Sequence, residues 1–254
     1  DGHLSRAVKA LEQIPQDGPI TNDTVAALTP LHPPRPESAD PLPPLPPDAP
    51  ETAINPGQIK KILKRVANGA AAGASGWNGD ILHQISKDSE CLEGICAIVH
   101  DIVNDRLPAL ARHVTLQSLL QGIPKEDASL RPIAIGEVFF KVASLHQLHL
   151  SRDQLGAIFE PLQLAICAQN GVERVFHAIM SALAAGGPEC VALLVDLTNA
   201  FNTEDRASML TELYNKPGLS HLWRLAHFGY GQGSSSLAIR LTDGTRDVHL
   251  QNTI

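Results

Sequence analysis

Apolar residues recur at helical spacing along much of the chain. After Pro56, the residues Ile59, Ile62, Leu63 and Val66 fall at i, i+3, i+4 and i+7, which places them on one face of a helix. The same spacing predicts helices over residues 92–102, 138–155, 172–183 and 206–214. It also predicts one or two short helices within residues 1–30, with a cap at residues 21–24. Much of the chain is therefore expected to be helical.

Other apolar runs have the spacing of strands. Residues 117–140 contain two extended runs joined by a charged turn at 125–129, which is typical of a β-hairpin that precedes the next helix. Asp243-Gly244 lies between the alternating runs 236–241 and 246–250 and predicts a second hairpin. A continuous apolar run from Cys190 to Val195 predicts a buried strand that ends at Asp196. The sequence thus predicts an α+β fold with helices packed on short antiparallel sheets.

Asp196 is the first residue of chemical interest, because a carboxylate at the end of a buried strand is held rigidly. Mg²⁺ prefers hard oxygen ligands and retains positions for substrate phosphates, so such a carboxylate suits a magnesium site. Alternatively, an Asp at this place simply caps the helix that follows the strand. The immediate sequence around Asp196 leaves both interpretations open.

Composition narrows the class of protein. The chain has 254 residues, 43% of them hydrophobic, and a net charge of −7, which argues against tight, autonomous nucleic-acid binding. The basic cluster Lys60, Lys61, Lys64 and Arg65 is expected to be a solvated helix face rather than a phosphate track. The apolar runs are too short for a membrane span. The four cysteines fit no zinc signature, so we expect buried, reduced thiols in an intracellular protein.

Proline is concentrated near the beginning of the chain. Residues 31–50 hold about half of the 19 prolines, so this segment is expected to be extended and polyproline-like. It could bind an aromatic groove on a partner, but a strap lying over its own protein is the favoured interpretation. We accordingly expect an N-terminal helical and proline-rich extension at 1–50.

Four segments in this order resemble the reverse transcriptase domain of non-LTR (LINE-like) retrotransposons. They are Gly69-Ala-Ala-Ala-Gly-Ala-Ser-Gly-Trp77, then Ile123-Pro-Lys125 with Leu130-Arg-Pro-Ile133 and Lys141, then Gln169-Asn-Gly171 with Glu173 and His177, and Val195-Asp-Leu-Thr-Asn-Ala-Phe-Asn202 with Arg206. The resemblance implies a right-hand polymerase fold, with fingers at 51–190 and a partial palm at 191–254. It also implies an RNA-directed DNA polymerase, a nucleotidyltransferase that uses magnesium.

The resemblance implies roles for individual residues. Asp196 matches the first catalytic carboxylate, which binds both Mg²⁺ ions, and the carbonyl of Leu197 matches a second metal contact. Phe201 matches the aromatic that selects deoxynucleotides by a clash with a ribose 2′-OH. Lys125 and Arg131 match cationic positions that neutralise the incoming triphosphate.

Gln169 and Gly171 match a region near the template and the nucleotide pocket. Each of these residues also has a purely structural interpretation. Lys125 is alternatively a charge at a hairpin tip, Phe201 a core aromatic and Gln169 a turn or cap residue.

Two functions remain open. The resemblance implies two further carboxylates and a Gly-x-x-Gln-Gly loop, and neither is found up to Ile254. We therefore expect the chain to be catalytically incomplete by itself and to bind no Mg²⁺ alone. A completed enzyme is expected to act in the nucleus, with an RNA template and a DNA primer as its partners. The alternative is a domesticated, non-catalytic scaffold in a ribonucleoprotein assembly, for which another compartment, such as an organelle, is possible. Neither function involves a membrane.

Overall fold

The computed structural model describes residues 21–36, 38–124, 129–165, 168–197, 199–232, 235–240 and 247–252. Most of these residues are helical. The helices, numbered in chain order, are α1 (Asn22–Leu28), α2 (Pro56–Val66), α3 (Gly79–Ile85), α4 (Ser89–Val103), α5 (Ala109–Leu116), α6 (Val138–Phe159), α7 (Gly171–Gly186), α8 (Ala200–Thr203), α9 (Arg206–Tyr214) and α10 (Ser220–Ala226). The strands are β1 (Ser118–Pro124), β2 (Leu130–Gly136), β3 (Ser235–Arg240) and β4 (Asp247–Asn252).

The predicted helices are confirmed where the structure describes them. Polar residues at their beginnings explain several of the boundaries: Asn55, Asn78, Asp88 and Asp205 each accept a hydrogen bond from the backbone N–H three residues later. The basic cluster of α2 is exposed, as expected for a solvated face. Among the described residues, no helix is long and apolar enough to cross a membrane.

The larger hydrophobic core lies between helices. The apolar face of α2 packs with α3, α4 and the first turns of α6, and Phe228 closes this core. Fully buried members include Ile59, Leu63, Leu82 and Val99. Branched aliphatic residues dominate because the chain has few aromatic residues, and their burial is the main favourable contribution to folding here.

Both predicted hairpins are confirmed. Strand β1 pairs antiparallel with β2, and β3 pairs antiparallel with β4. A short parallel contact, Ser118 to Leu237 and Leu119 to Ala238, joins the two hairpins into one sheet of order β2-β1-β3-β4. The Asp243-Gly244 turn lies outside the described residues.

The N-terminal extension lies over the rest of the chain, as the strap interpretation predicts. Leu28 is fully buried in a second core with Leu120, Leu237 and Ile239 of the sheet. Further along, the guanidinium of Arg224 donates to the carbonyl of Ala49 at 2.8 Å. The proline-rich segment is therefore held at both ends by contacts within this protein.

A buried ionic cluster fixes the turn after α10. Arg112 pairs with Asp105, and Nδ1 of His227 lies 2.6 Å from the other carboxylate oxygen of Asp105. Arg112 also donates to the carbonyl of Phe228 at 2.7 Å and lies 4.6 Å from the centroid of its ring. These contacts connect the end of α4 with the π-helical turn His227–Gly231.

The prediction of a buried strand ending at Asp196 is wrong for this chain. Residues 190–197 adopt neither helix nor strand, and their apolar side chains are exposed, from 70% for Leu197 to 88% for Leu194. A strand needs a neighbour for its backbone hydrogen bonds, and no described strand pairs with this segment. Its apolar pattern is therefore strand-like, but its partner strands are not among the described residues.

The expected burial of the cysteines is also corrected. Cys91 is exposed, and Cys96 and Cys190 are only partly buried, so these thiols are free but not buried as predicted; Cys167 lies outside the described residues. Helix α7 buries none of its residues in this chain, although it has a clear apolar face. Phe176 of that face is 59% exposed and Val172 is 79% exposed.

Candidate functional site

A cavity of about 690 Å³ opens between the β1–β2 hairpin and the segment that carries Asp196. Three separate parts of the chain line it: the hairpin, residues 195–202 and the N-terminal extension. The lining residues are His32, Leu120, Arg131, Pro132, Ala134, Val195, Asp196, Leu197, Asn199, Ala200 and Asn202. Its volume is within the range of about 300–1,000 Å³ that is usual for small-molecule sites.

Arg131 and Asp196 bring opposite charges to this cavity. Arg131 lies on β2, where it pairs in register with Ile123 of β1, and its side chain is exposed. Asp196 is likewise exposed on its extended segment. The structure gives neither side chain a hydrogen bond or ion pair with another described residue.

Two asparagines anchor the segment that follows Asp196. Asn199 and Asn202 both donate from Nδ2 to the carbonyl of Leu31, at 2.9 and 3.1 Å, and Asn202 also donates to Oδ1 of Asn199 at 2.9 Å. Asn199 has a φ of 57°, a left-handed conformation that Asn tolerates better than most residues. The N-terminal extension and the Asp196 segment are thus joined at the wall of the cavity.

His32 follows the anchored residue Leu31 and lines the same cavity. Its side chain is nine-tenths buried, and burial lowers the pKa of its imidazole. Its Nε2 atom is shielded from solvent and has no hydrogen-bond partner among the described residues. Sequence reasoning missed His32, Asn199 and Asn202, because only contacts between distant parts of the chain bring them to the cavity.

The structure brings some of the predicted site residues together and leaves others apart. Arg131, Asp196 and Leu197 line one cavity, and Phe201 lies directly after the lining residue Ala200 in α8; its side chain is outside the described set. Lys125 also lies outside the described residues. Which of these residues bind a ligand stays a prediction.

Gln169 and Gly171 do not line this cavity. They lie in the turn before α7 and at its first residue, and Asn170 between them has a φ of 54°. A Cβ atom on Gly171 would lie 1.8 Å from the carbonyl oxygen of Leu164, so the position requires glycine for local packing. The observed packing of Gly171 therefore has a structural cause, whatever its role in a longer protein.

The small-residue loop at 69–77 contributes to a second cavity, of about 430 Å³, beside the first turn of α6. The buried carboxylate of Glu137 holds this loop, because it accepts from the backbone N–H of Ser75 at 2.8 Å and from its Oγ at 2.5 Å. A Cβ on Gly73 would lie 2.7 Å from Oε1 of Glu137. The glycine at this position permits the close approach of loop and carboxylate.

The described residues do not fit a pair of Mg²⁺ ions by themselves. Asp196 is the only carboxylate among the lining residues, and nowhere in the described ranges do three His, Cys, Asp or Glu residues form a metal-binding group. The amide oxygen of Asn199 accepts from Asn202, so it is already engaged. Two-metal sites need several hard oxygen ligands, which this cavity does not supply alone.

Comparison with known proteins relates the chain to a mobile genetic element. Over 167 residues it is 28% identical to the retrotransposable element SLACS 132 kDa protein of Trypanosoma brucei gambiense, a match that covers 65% of this chain and 14% of that protein. No protein-family model matches the chain. The match supports a retrotransposon-related origin, and the aligned part of the chain corresponds to about 14% of its relative's length.

Proposed function

We propose that this chain forms the fingers and the first part of the palm of a reverse transcriptase encoded by a retroelement. The observation that supports this most is that Arg131 and Asp196 line one cavity, without partners among the described residues. Both residues belong to the segments that resemble a reverse transcriptase. The SLACS relative, a retrotransposable element protein by name, is consistent with the same origin.

In this proposal each residue acts on the incoming nucleotide. The guanidinium of Arg131 binds and neutralises the triphosphate, since its planar donors match pairs of phosphate oxygens. The carboxylate of Asp196 would be one of several that hold magnesium, with the others supplied by parts of a longer protein outside this chain. Magnesium held there would supply positive charge beside the phosphate oxygens and the leaving group. Phe201 excludes a ribose 2′-OH beside the anchored segment.

The exposed apolar surfaces fit a chain that is completed by more protein. Residues 191–197 and the apolar face of α7 expose large side chains that soluble proteins normally bury against a partner. In this proposal these surfaces pack against parts of a longer protein outside this chain. The same observation favours a second candidate, a non-catalytic scaffold that buries these surfaces in a ribonucleoprotein assembly.

Primer extension by the full-length protein tests the proposal. An RNA template, a DNA primer, dNTPs and Mg²⁺ are expected to give extended DNA, and Asp196→Ala to reduce extension to background. The matched control is Asp153→Ala, an exposed carboxylate of α6 that does not line the cavity, which is expected to leave activity unchanged.

Arg131 has a matched control as well. Arg131→Ala is expected to raise the KM for dNTPs, and Arg152→Ala, at another exposed position of α6, is not. Normal extension by the Asp196→Ala protein would refute the catalytic role. Absence of extension by the wild type, together with stable co-purification with RNA and protein, would favour the scaffold.

A further inference from the structure

Asp196 lies in a segment that has few attachments of its own. Residues 191–197 adopt neither helix nor strand, and none of them forms a hydrogen bond or ion pair with another described residue. The nearest described attachment before Asp196 is Cys190, whose backbone N–H donates to the carbonyl of Gly187 at 3.1 Å. The nearest one after it is Asn199. The position of Asp196 in the cavity therefore depends on what holds Asn199.

One carbonyl group of the N-terminal extension holds the chain after Asp196. The carbonyl oxygen of Leu31 accepts from Nδ2 of Asn199 at 2.9 Å and from Nδ2 of Asn202 at 3.1 Å. A carbonyl oxygen has two lone pairs, so this acceptor is fully used. Asn202 also donates to Oδ1 of Asn199 at 2.9 Å, and each amide thereby orients the other. The two amides and the carbonyl form a closed group of hydrogen bonds.

Leu31 connects this group to the hairpin on the other side of the cavity. Leu31 and Leu130 both pack against the second core, in which Leu28 of α1 is fully buried. Leu130 is followed on β2 by Arg131, which lines the same cavity as Asp196. The extension is thus attached to the hairpin by apolar packing and to the Asp196 segment by hydrogen bonds.

We propose that Asn199 and Asn202 are positioning residues of this site, and that through the carbonyl of Leu31 they set the position of the Asp196 carboxylate relative to Arg131. This inference rests on the proposed function, because it takes the role of Asp196 from there. It goes further in making the N-terminal extension, which lies outside the four segments that carry the resemblance, a part of the site. Neither asparagine has to touch the nucleotide in this role.

The turn that contains the two asparagines also has hydrogen bonds of its own. The backbone N–H of Asn202 donates to the carbonyl of Asn199 at 3.0 Å, and Oγ1 of Thr203 donates to the carbonyls of Asn199 and Ala200 at 3.2 and 3.3 Å. These bonds close the turn locally. The bonds to Leu31 orient it relative to the rest of the protein, so their loss is expected to release the segment without unfolding the chain.

Two variants remove the donors with little change to the backbone. Asn202→Asp keeps the shape of the side chain but has no N–H, and Asn199→Gly removes the amide at a φ of 57° that glycine adopts readily. In the purified chain, both are expected to make hydrogen exchange of the α8 amides about 3- to 10-fold faster, the effect of losing about one hydrogen bond. Exchange in α4 is expected to stay the same. The control Asn215→Asp, at an exposed asparagine just after α9, is expected to change neither helix.

Primer extension by the full-length protein tests the consequence for the site. Both variants are expected to lower kcat by about 3- to 10-fold and to leave the KM for dNTPs unchanged, whereas Arg131→Ala raises that KM. Because both asparagines act through one acceptor, the double variant is expected to lose about as much as the more affected single variant. A merely structural role would lower the folded fraction, measured by urea unfolding, and leave kcat per folded molecule unchanged.

The outcomes separate the two proposals. Wild-type exchange in α8 for both variants would overturn the attachment, and wild-type kcat per folded molecule for both would overturn the positioning role; in either case the proposed function stands as long as Asp196→Ala abolishes extension. Additive losses in the double variant would likewise overturn a shared role of the two asparagines. Normal extension by the Asp196→Ala protein would refute the proposed function, and the positioning role with it.

Discussion

Replacing Asn104 by alanine is expected to destabilise the protein strongly, because its amide group satisfies the buried backbone of Thr52, just after the extension. Asn104 is 1% exposed at the end of α4. Its Oδ1 accepts from the N–H of Thr52 at 2.8 Å, and its Nδ2 donates to the carbonyls of Thr52 and His100, both at 3.0 Å. One side chain thus pairs with both backbone groups of a buried residue, as a neighbouring strand would.

The magnitude follows from the groups left without partners. Asn104→Ala removes the partner of the Thr52 N–H and of the Thr52 carbonyl, in a region where Thr52 is 8% exposed. Each buried group left unpaired costs about 1–3 kcal/mol, so the sum is about 2–6 kcal/mol. Water entering the space left by the amide reduces the cost, and we expect a loss of about 2–4 kcal/mol. That is a large part of the 5–15 kcal/mol typical of a folded domain.

Urea unfolding at pH 7 measures this loss as a difference in the free energy of unfolding at equal m-value. The control is Asn215→Ala, an exposed asparagine whose change is expected to cost less than about 0.5 kcal/mol. Asn104→Asp separates the two hydrogen bonds to Thr52. Its carboxylate accepts from the Thr52 N–H but has no donor for the Thr52 carbonyl. A loss below 1 kcal/mol for Asn104→Ala would refute the reasoning that this amide satisfies the buried backbone of Thr52.

Two further predictions concern glycines and pH. Gly79→Ala is expected to destabilise the protein by about 1–3 kcal/mol, since its Cβ would lie 2.2 Å from the carbonyl oxygen of Val66. Gly94 lies at an exposed helical position where an added Cβ meets no atom within 4 Å outside its own helix. Gly94→Ala is therefore expected to stabilise the protein by about 0.5–1 kcal/mol in the same urea assay. Stability is expected to fall as pH decreases below about 6.5. Burial lowers the pKa of four described histidines in the folded state (His32, His146, His221 and His227), so the unfolded chain binds more protons in that range. Chemical unfolding from pH 8 to pH 5 tests this, and an unchanged midpoint across that range would contradict it.

The helices and hairpins were predictable because their signals are local. Periodic apolar positions and polar caps such as Asn55 and Asp88 lie within one element and act there. The run ending at Asp196 was predicted wrongly as a strand, because a strand depends on neighbours from elsewhere in the sequence. Its apolar composition is typical of a strand buried between neighbouring strands, but no described strand pairs with it.

The same contrast between local signals and long-range contacts applies to the residues of the candidate site. Asp196 and Arg131 could be selected from motifs, since the chemistry of a carboxylate or a guanidinium is visible in the residue itself. His32 and the two asparagines could not, because their part in the cavity arises from the contacts of Leu31 with the segment after Asp196. A histidine in a proline-rich segment has no periodicity or spacing that would indicate a site.

The position of the extension links stability to the proposed function. Leu28 is buried against β1 and β3, His32 lines the cavity, and Thr52 pairs with Asn104. Residues 21–50 therefore contribute to the second core and to the site at once, although composition alone sets residues 31–50 apart as a proline-rich segment. Because the hydrogen bonds to Leu31 hold the Asp196 segment, loosening the extension must also loosen the wall that carries Asp196. In this chain the arrangement of the cavity is thus a property of the extension as much as of the hairpin and the Asp196 segment.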